Sequence, residues 1–435
     1  MDDITGAVFR GMGAAVKGTV GVANAVVNGI SRRHHLRKIA QANQMNQGIT
    51  EYNPSQIEAF FEDNEPLSNV VLSGGDNTYR SRAIARIADC AQTIGTGAVI
   101  IHVANHALEQ QIRTYFGSQA AIINGSNPVY DPFLGLSNAE IIKMVVSSTK
   151  KGFEIQGQGR YYIEGMCDFI RSKKTQPYGA MLISCPHFQL VDKIDEAEQN
   201  GLISATTAKA LSSQIMQGSS EKGNIEYFFQ AFGSEAQSIL ASNSNIVQSI
   251  SIRSAVGNNR VICLDITSPA NSELISIVIS EIELLLSRGK KVMLLADNIS
   301  LASSAAYQAM IHRSGVDCLV SLSADDVFAL FNGEEKNFYA FTGNSSKVVA
   351  SKHTSAYSCQ KIADVFGSYD KIEVNPTFTQ HSGYFGHVHM GGGESLGTGK
   401  RRENIVKPEE ISRMSTNEVY VQSKAKGELA HFQII

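Results

Sequence analysis

An apolar, strand-like segment that runs into two glycines and then into a helix-like segment most constrains what this chain of 435 residues can fold into. The strand pattern covers 69–72, the glycines are Gly74 and Gly75, and the helix pattern covers 79–94. Phosphate-binding loops have this layout, G-x-x-x-x-G-K-[ST], because the backbone N–H groups of a glycine turn can surround phosphate oxygens. The pattern predicts a strand–turn–helix unit built like a phosphate-binding loop.

Two residues of this turn depart from the phosphate-binding pattern. Gly74 and Ser81 stand where the first glycine and the Mg²⁺-binding hydroxyl are expected, but Tyr79 replaces the second glycine and Arg80 replaces the lysine. A tyrosine side chain obstructs close backbone approach, and a planar guanidinium does not fit where a compact ammonium reaches beneath the phosphates. The turn therefore belongs either to an ATPase with an unusual loop or to an ATPase body that has lost its chemistry.

Strand and helix patterns alternate on both sides of a long helical stretch. The first α/β part has strand patterns at 70–72, 97–103 and 120–123, and the second has them at 260–266, 291–296, 317–321, 337–342 and 371–374. From about 134 to 258 the apolar residues recur at helical spacing and the strand signal nearly vanishes. We predict an α/β fold with a mainly parallel sheet and an inserted all-α domain.

A second part of a nucleotide site is indicated at Asp297 and Asn298. Asp297 ends the apolar strand pattern 291–296, which is what a Mg²⁺-holding Walker B motif requires. Hydrolytic proteins usually have Glu at the next position to activate water, whereas this chain has Asn298, and an amide is a poor general base. The candidate nucleotide-binding residues are Gly74, Gly75, Arg80, Ser81, Asp297 and Asn298; if nucleotide and Mg²⁺ bind, Ser81 and Asp297 are the candidate metal ligands.

Composition narrows the class of protein. A content of 43% apolar and 18% charged residues is typical of globular proteins, and a net charge of -3 provides no global basic field for nucleic acid. The six cysteines are scattered and form no C-x-x-C pair, so neither a zinc site nor a disulfide framework is indicated and a reducing cytosol is the simplest compartment. The sequence contains no uninterrupted run of 18 or more apolar residues, so no membrane-spanning helix is predicted.

The N-terminal segment leaves two interpretations open. Residues 4–30 are rich in Ala, Val and Gly, and 31–38 form a basic collar. Residues 4–38 could associate with a membrane surface through an apolar face and the collar. Alternatively, they form a helix that packs on a partner or on another subunit.

The run from about 69 to 435 resembles the type IV coupling proteins, the VirD4/TraD/TraG-like members of the FtsK–HerA P-loop ATPases. Besides the two Walker positions, the signatures are Tyr130-Asp131-Pro132-Phe133 before the helical stretch, the strand 261–266, the unit formed by 341–344 and 360–367, and the closing motif 405–414. Their order along the chain carries the resemblance. It implies a RecA-like P-loop NTPase core; the glutamine that the family often has near the next strand end is missing at 321–323.

With this resemblance, six regions are predicted. They are an Ala/Gly/Val-rich segment with its collar at 1–45, the first part of the core at 46–133, the all-α insertion at 134–258, the second part of the core at 259–375, a flexible Gly-rich loop at 376–404 and a closing strand/helix element at 405–435.

The resemblance implies a subunit of a secretion or DNA-transfer (conjugation) machine, working in the cytoplasm or at the inner face of the membrane. The departures favour a pseudo-ATPase that acts as a scaffold or substrate recruiter. The alternatives are an active ATP-driven translocase of DNA or protein with a non-standard loop, and a regulator that binds nucleotide without hydrolysis. ATP and Mg²⁺ are the implied cofactors; protein partners of the machine, a homo- or hetero-oligomeric ring and nucleic acid are the implied partners.

Overall fold

A computed structural model describes residues 32–62, 68–150, 152–266, 273–301, 318–379 and 393–435. The chain divides into two units. The smaller unit combines Met1–Thr50 with Phe366–Lys407, and the larger combines Glu51–Val365 with Pro408–Ile435.

The chain contains a sheet of ten strands, nine of which belong to the larger unit, while the first strand falls at the boundary between the units. Its strands are β1 (Ile49–Glu51), β2 (Asn69–Ser73), β3 (Gly97–His102), β4 (Ala120–Ile123), β5 (Val261–Asp265), β6 (Val292–Asp297), β7 (Cys318–Ala324), β8 (Ser345–Ala350), β11 (Glu418–Ser423) and β12 (Glu428–Gln433). The order is β1-β12-β11-β8-β2-β7-β6-β3-β5-β4. Pairs from β8 to β4 are parallel, and β11 is antiparallel to β8 and β12. The predicted mainly parallel α/β sheet is confirmed.

Fourteen α-helices lie in the described part of the chain. They are α1 (32–47), α2 (Asn77–Thr93), α3 (His106–Phe116), α4 (Asn138–Ser147), α5 (Gly159–Ser172), α6 (Gly179–Ile183), α7 (Leu190–Gln199), α8 (Ala205–Gln217), α9 (Lys222–Ala236), α10 (Ile252–Gly257), α11 (Glu273–Ser287), α12 (Glu335–Gly343), α13 (Ala356–Phe366) and α14 (Pro408–Arg413). Helices α4 to α10 all fall between β4 and β5, where the sequence predicts the helical stretch.

The strand–turn–helix unit at the start of the core forms for local reasons. All five residues of β2 are buried, so the strand is covered on both faces, as expected inside a parallel sheet. Asp76 then caps α2, because its carboxylate accepts hydrogen bonds from the N–H groups of Thr78 and Tyr79. The buried face of α2 carries Tyr79, Ala83 and Ile87, which recur every four residues and pack into the main hydrophobic core.

The helical stretch differs from the prediction at its end. A single helix over 223–252 is wrong, because α9 stops at Ala236 and α10 begins only at Ile252. The intervening Ser/Asn-rich residues bind their own backbone instead, as when the amide oxygen of Asn245 accepts from the N–H of Ser242 at 2.7 Å. Tyr130 holds this segment, since its N–H donates to Ile239 and its carbonyl accepts from Ala241.

The strand predicted at 337–342 is also wrong. These residues belong to helix α12, and the strand follows as β8 (Ser345–Ala350). Phe338, Phe341 and Thr342 are the buried residues of α12, at spacings of three and four that suit one helix face. Over so short a run, the same apolar and aromatic residues are equally typical of a strand. The sequence alone therefore does not show that their buried positions follow helical spacing.

The smaller unit contains a two-stranded antiparallel ribbon of β9 (Ser368–Thr379) and β10 (Gly393–Asn404). The predicted flexible loop over 376–404 is therefore wrong at 376–379 and 393–404, while 380–392 lie outside the described residues. The predicted end of the core at 375 falls inside β9. Glycine has a weak propensity for strands, but here the pairing of the two strands outweighs it. An ion pair between Lys371 and Glu403, 2.8 Å apart across the ribbon, adds to this pairing.

Helix α1 belongs to the same unit as the ribbon. The Asn43 side chain donates to the carbonyl of Ile372 and accepts from its N–H, at 3.0 and 2.8 Å. Residues 4–31, which carry most of the predicted membrane-surface segment, lie outside the described residues. Within the part of the chain that the structure describes, no helix is long and apolar enough to cross a membrane.

Candidate functional site

The glycine turn after β2 directs its backbone N–H groups into the protein. Gly74 and Gly75 have φ angles of 82° and 70°, a region that only glycine adopts without strain. The N–H of Gly74 donates to the Ala324 carbonyl at 3.0 Å, and that of Gly75 donates to the Lys352 carbonyl at 3.3 Å. Both donors are therefore already used, whereas a phosphate-binding loop keeps such groups for phosphate oxygens.

Tyr79 closes the turn from the helix side. A Cβ atom built on Gly75 would collide with the Tyr79 ring, so the ring lies directly against the glycine. The phenol donates a hydrogen bond of 2.6 Å to the Gly74 carbonyl. Burial raises the pKa of Tyr79 well above its ordinary value, so the phenol stays a neutral donor. The tyrosine is thus a structural part of the turn.

Arg80 occupies the interior of the turn. Its side chain is fully buried, and one guanidinium nitrogen, Nη1, donates to the carbonyls of Gly74 and Gly75 at 3.1 and 3.0 Å. The other, Nη2, donates to the Asn77 side chain and to the carboxylate of Asp325 at 2.7 Å. The turn therefore presents carbonyl oxygens to a cation held within the chain.

Asp297 lies beneath Arg80, at the end of the strand β6. Its carboxylate is buried and stands 3.7 Å from the Arg80 Nε atom. One oxygen accepts from the Ser323 hydroxyl at 2.6 Å, and the other accepts from the Asn105 amide at 2.7 Å. Each carboxylate oxygen already has a hydrogen-bond donor within the protein, and a cation stands beside them.

Asn105 joins the two candidate metal ligands, and the sequence interpretation missed it. Its side chain lies between Ser81 and Asp297, with the Ser81 hydroxyl 3.3 Å from its amide nitrogen. It also caps α3, accepting from the N–H of Leu108. Its position after the strand β3 is the only sequence signal that could have pointed to it. The structure thus brings Ser81 and Asp297 together, but the Asn105 side-chain amide lies between them, in the position that a metal ion bound by both residues would take.

Asn298 shapes the turn that covers Arg80. Its φ angle is 55°, a left-handed conformation that asparagine tolerates better than most residues. Its N–H donates to the Ser323 carbonyl, and its side-chain oxygen accepts from the N–H of Asp325 at 3.3 Å. Asn298 thereby positions Asp325 over the guanidinium. All six predicted site residues meet at this edge of the sheet.

His102 adds a second buried polar group near this edge. Its side chain has no exposed surface and lies 3.7 Å from Asp265 and 3.9 Å from Glu109. Burial nevertheless lowers its pKa, because desolvation outweighs the attraction of these carboxylates. The N–H of Asn105 donates to Nδ1, so the ring is a neutral acceptor there. No group of His, Cys, Asp or Glu among the described residues has the arrangement of a metal site.

Comparison with known proteins gives neighbours in fold among solved structures. No family model matches the chain, and no curated protein matches it either. The bacterial conjugative coupling protein TrwBdeltaN70, in an unbound monoclinic form, matches with a TM-score of 0.50 and 14% identity over 84% of each chain. Its trigonal form in complex with sulphate matches with a TM-score of 0.50 and 13% identity, over 89% of this chain and 93% of that one.

The chain has the fold of a conjugative coupling protein. The predicted RecA-like core and the resemblance to coupling proteins are confirmed at the level of the fold. Plasmid coupling protein TrwB in complex with ADP and Mg²⁺ matches with a TM-score of 0.47. That nucleotide belongs to TrwB, and whether this chain has room for one depends on its own residues.

ATP and Mg²⁺ do not fit the turn as it is built. The Arg80 guanidinium fills the space that phosphates would need. The turn faces that space with the carbonyl oxygens of Gly74 and Gly75, and these oxygens repel phosphate. Asp297 is held by Asn105 and Ser323, and the helix N-terminus is occupied by the Asp76 carboxylate. The turn after β2 is therefore filled by the chain's own side chains.

Proposed function

We propose that this chain is a non-hydrolysing, coupling-protein-like subunit. It retains the ATPase body and serves as a scaffold or substrate recruiter in a secretion or DNA-transfer machine. The observation that carries the proposal is the buried position of Arg80, whose guanidinium binds the two glycine carbonyls of the turn. A side chain that stabilises the empty form of the loop competes directly with any nucleotide.

The strength of this competition can be bounded. Arg80 donates four hydrogen bonds, to Gly74, Gly75, Asn77 and Asp325. At about 1–2 kcal/mol each, moving the side chain away costs on the order of 4–8 kcal/mol. That range equals the whole binding free energy of a ligand with a Kd between about 1 mM and 1 µM. ATP at cellular concentration would have little affinity left.

The proposed partners are proteins of the machine, and the helical stretch supports this class. Helix α7 exposes Asp192, Asp195, Glu196 and Glu198 against a single lysine, Lys193. Such a surface repels nucleic acid and suits a protein client carrying basic residues. The chain would assemble into a ring, either with further copies or with a coupling protein that hydrolyses ATP, and only the second kind of ring would supply the chemistry that this chain lacks. Nucleic acid could still contact other surfaces of such a ring.

The test is nucleotide binding by the purified protein. We expect no rise in melting temperature with ATP and Mg²⁺ at millimolar concentration, because a ligand of the folded state must raise it. The matched variant Tyr79→Gly/Arg80→Lys restores the two missing residues of the phosphate-binding pattern. It should gain a measurable ATP-dependent rise if the two side chains are what closes the loop.

Two results would favour the alternatives. Mg²⁺-dependent ATP turnover by the natural protein, abolished in Asp297→Ala, would indicate an active translocase. An ATP-dependent rise in melting temperature without turnover would indicate a nucleotide-binding regulator. A natural protein that neither binds nor turns over ATP, but forms a mixed ring with an active coupling protein in native mass spectrometry, would support the scaffold.

A further inference from the structure

A basic pocket lies at the amino edge of the sheet, the edge opposite the closed turn. It has a volume of about 260 Å³ and is formed where the chain enters strands β3, β5 and β6. The lining residues are Gln92, Gly95, Thr96, Gly97, Gln119, Val256, Asn259, Arg260, Lys290 and Lys291. The pocket is bounded by turns that hold these residues in place: the Gln92 side chain donates to the Asn259 carbonyl at 3.1 Å.

Three cations line this pocket and no carboxylate does. Lys290 and Lys291 are exposed, and among the described residues neither is within ion-pair distance of an acidic side chain. Three like charges around one concave surface repel one another, and the repulsion is relieved only by solvent or by a bound anion. The chain as a whole is acidic, so this concentration of positive charge is local.

Arg260 is the half-buried cation of the three. Its Nη2 atom makes one long hydrogen bond, 3.4 Å, to the Ala120 carbonyl, and its buried Nε atom has no hydrogen-bond partner. Buried polar atoms normally have partners, so the guanidinium is incompletely satisfied in the protein alone. The amides of Gln92, Gln119 and Asn259 add neutral donors around it.

We propose that this pocket binds a phosphate monoester. A carboxylate carries one negative charge and is matched by a single arginine, whereas a phosphate monoester carries close to two and has three acceptor oxygens. An arginine fork, two ammonium groups and side-chain amides match that charge and that number of acceptors. The site shares no residue with the turn around Arg80, so it stands independently of the proposed loss of ATP binding.

The test is the affinity of the purified full chain for inorganic phosphate, measured by calorimetry against chloride at equal ionic strength. Lys290→Ala/Lys291→Ala changes only exposed side chains, so it should fold, and it should weaken phosphate affinity at least about tenfold. Arg260→Gln should weaken it as well. The matched control Lys209→Ala/Lys336→Ala removes two exposed lysines elsewhere and should leave the affinity unchanged.

A single-stranded oligonucleotide without a terminal phosphate forms the second arm, because it offers phosphodiesters alone. Phosphate binding that is lost in the pocket variants and kept in the control supports the proposal. No phosphate binding, or equal binding by the pocket and control variants, would overturn it. Oligonucleotide binding that depends on Lys290 and Lys291, in the absence of phosphate binding, would overturn the monoester assignment and indicate a strand-binding surface.

Discussion

Replacing Arg80 by methionine tests whether the arginine holds the glycine turn closed. Methionine keeps the length and most of the volume of the side chain but cannot donate hydrogen bonds. The change removes the cation beside the buried carboxylate of Asp297, at 3.7 Å, and the donors to Gly74 and Gly75. In an ATPase the equivalent substitution would abolish turnover with little effect on the fold, whereas here it should destabilise the protein.

The expected loss of stability comes from the polar groups that lose their contact with Arg80. The Gly75 carbonyl loses its Arg80 donor, which costs about 1 kcal/mol for a half-buried acceptor. Asp297 keeps its bonds from Asn105 and Ser323 but becomes a buried charge without a counter-ion. Breaking a buried ion pair by removing one partner costs about 3–5 kcal/mol. We take the cost of the unpaired carbonyl to be included in this range and do not add it separately. We therefore expect Arg80→Met to lower the free energy of unfolding by about 3–5 kcal/mol.

Urea unfolding followed by circular dichroism measures this change. Arg288→Met is the matched control, because Arg288 is a half-exposed arginine paired with Glu140, and its loss should cost less than about 1 kcal/mol. Adding Asp297→Asn to Arg80→Met removes the unpaired charge and should recover about 1–3 kcal/mol. A loss of less than about 1 kcal/mol in Arg80→Met, similar to the control, would refute the buried position of the arginine.

Three further changes are testable in the same way. Gly75→Ala should cost about 1–3 kcal/mol in urea unfolding because its Cβ meets the Tyr79 ring, and more than Gly95→Ala, where φ is also positive but the space is open. Tyr79→Phe should cost about 1 kcal/mol through the lost bond to the Gly74 carbonyl, and the more exposed Tyr227→Phe should not. Burial raises the pKa of Glu281 from 4.5 to about 7 despite Arg253, so its contribution to stability is complete below pH 4.5 and is lost as the pH rises through 7. Glu281→Gln should flatten the pH dependence of unfolding in that window; an unchanged slope would contradict the raised pKa.

Much of the fold could be predicted from the sequence because its signals are local. The apolar runs of β2, β3 and β6 are buried on both faces, and such runs read as strands of a parallel sheet. The helical stretch was recognisable from its spacing. The errors fall where local signals are ambiguous: at 337–342, where an apolar run forms a helix, and at 393–404, where glycines form a strand only because β9 pairs with it.

The candidate site was predictable as a set of residues but not as an arrangement. Gly74, Ser81 and Asp297 occupy pattern positions in the chain, and the structure brings them to one edge of the sheet. Asn105, which bridges two of them, was missed because its only sequence signal is its position after β3. Its role depends on β3 lying beside β6, and strand order is a property of the whole sheet.

The sequence by itself determined that a strand, a glycine turn and a helix follow one another, and that lysine and the second glycine are absent. These are local facts of residue type and backbone conformation. Only the tertiary structure decided what Arg80 does. An arginine at this position could point to solvent or to a ligand, and it turns inward because Asp297 from β6 and Asp325 after β7 surround it with negative charge. Arg80 is held in the loop by residues more than two hundred positions away in the chain, which only the folded sheet brings together.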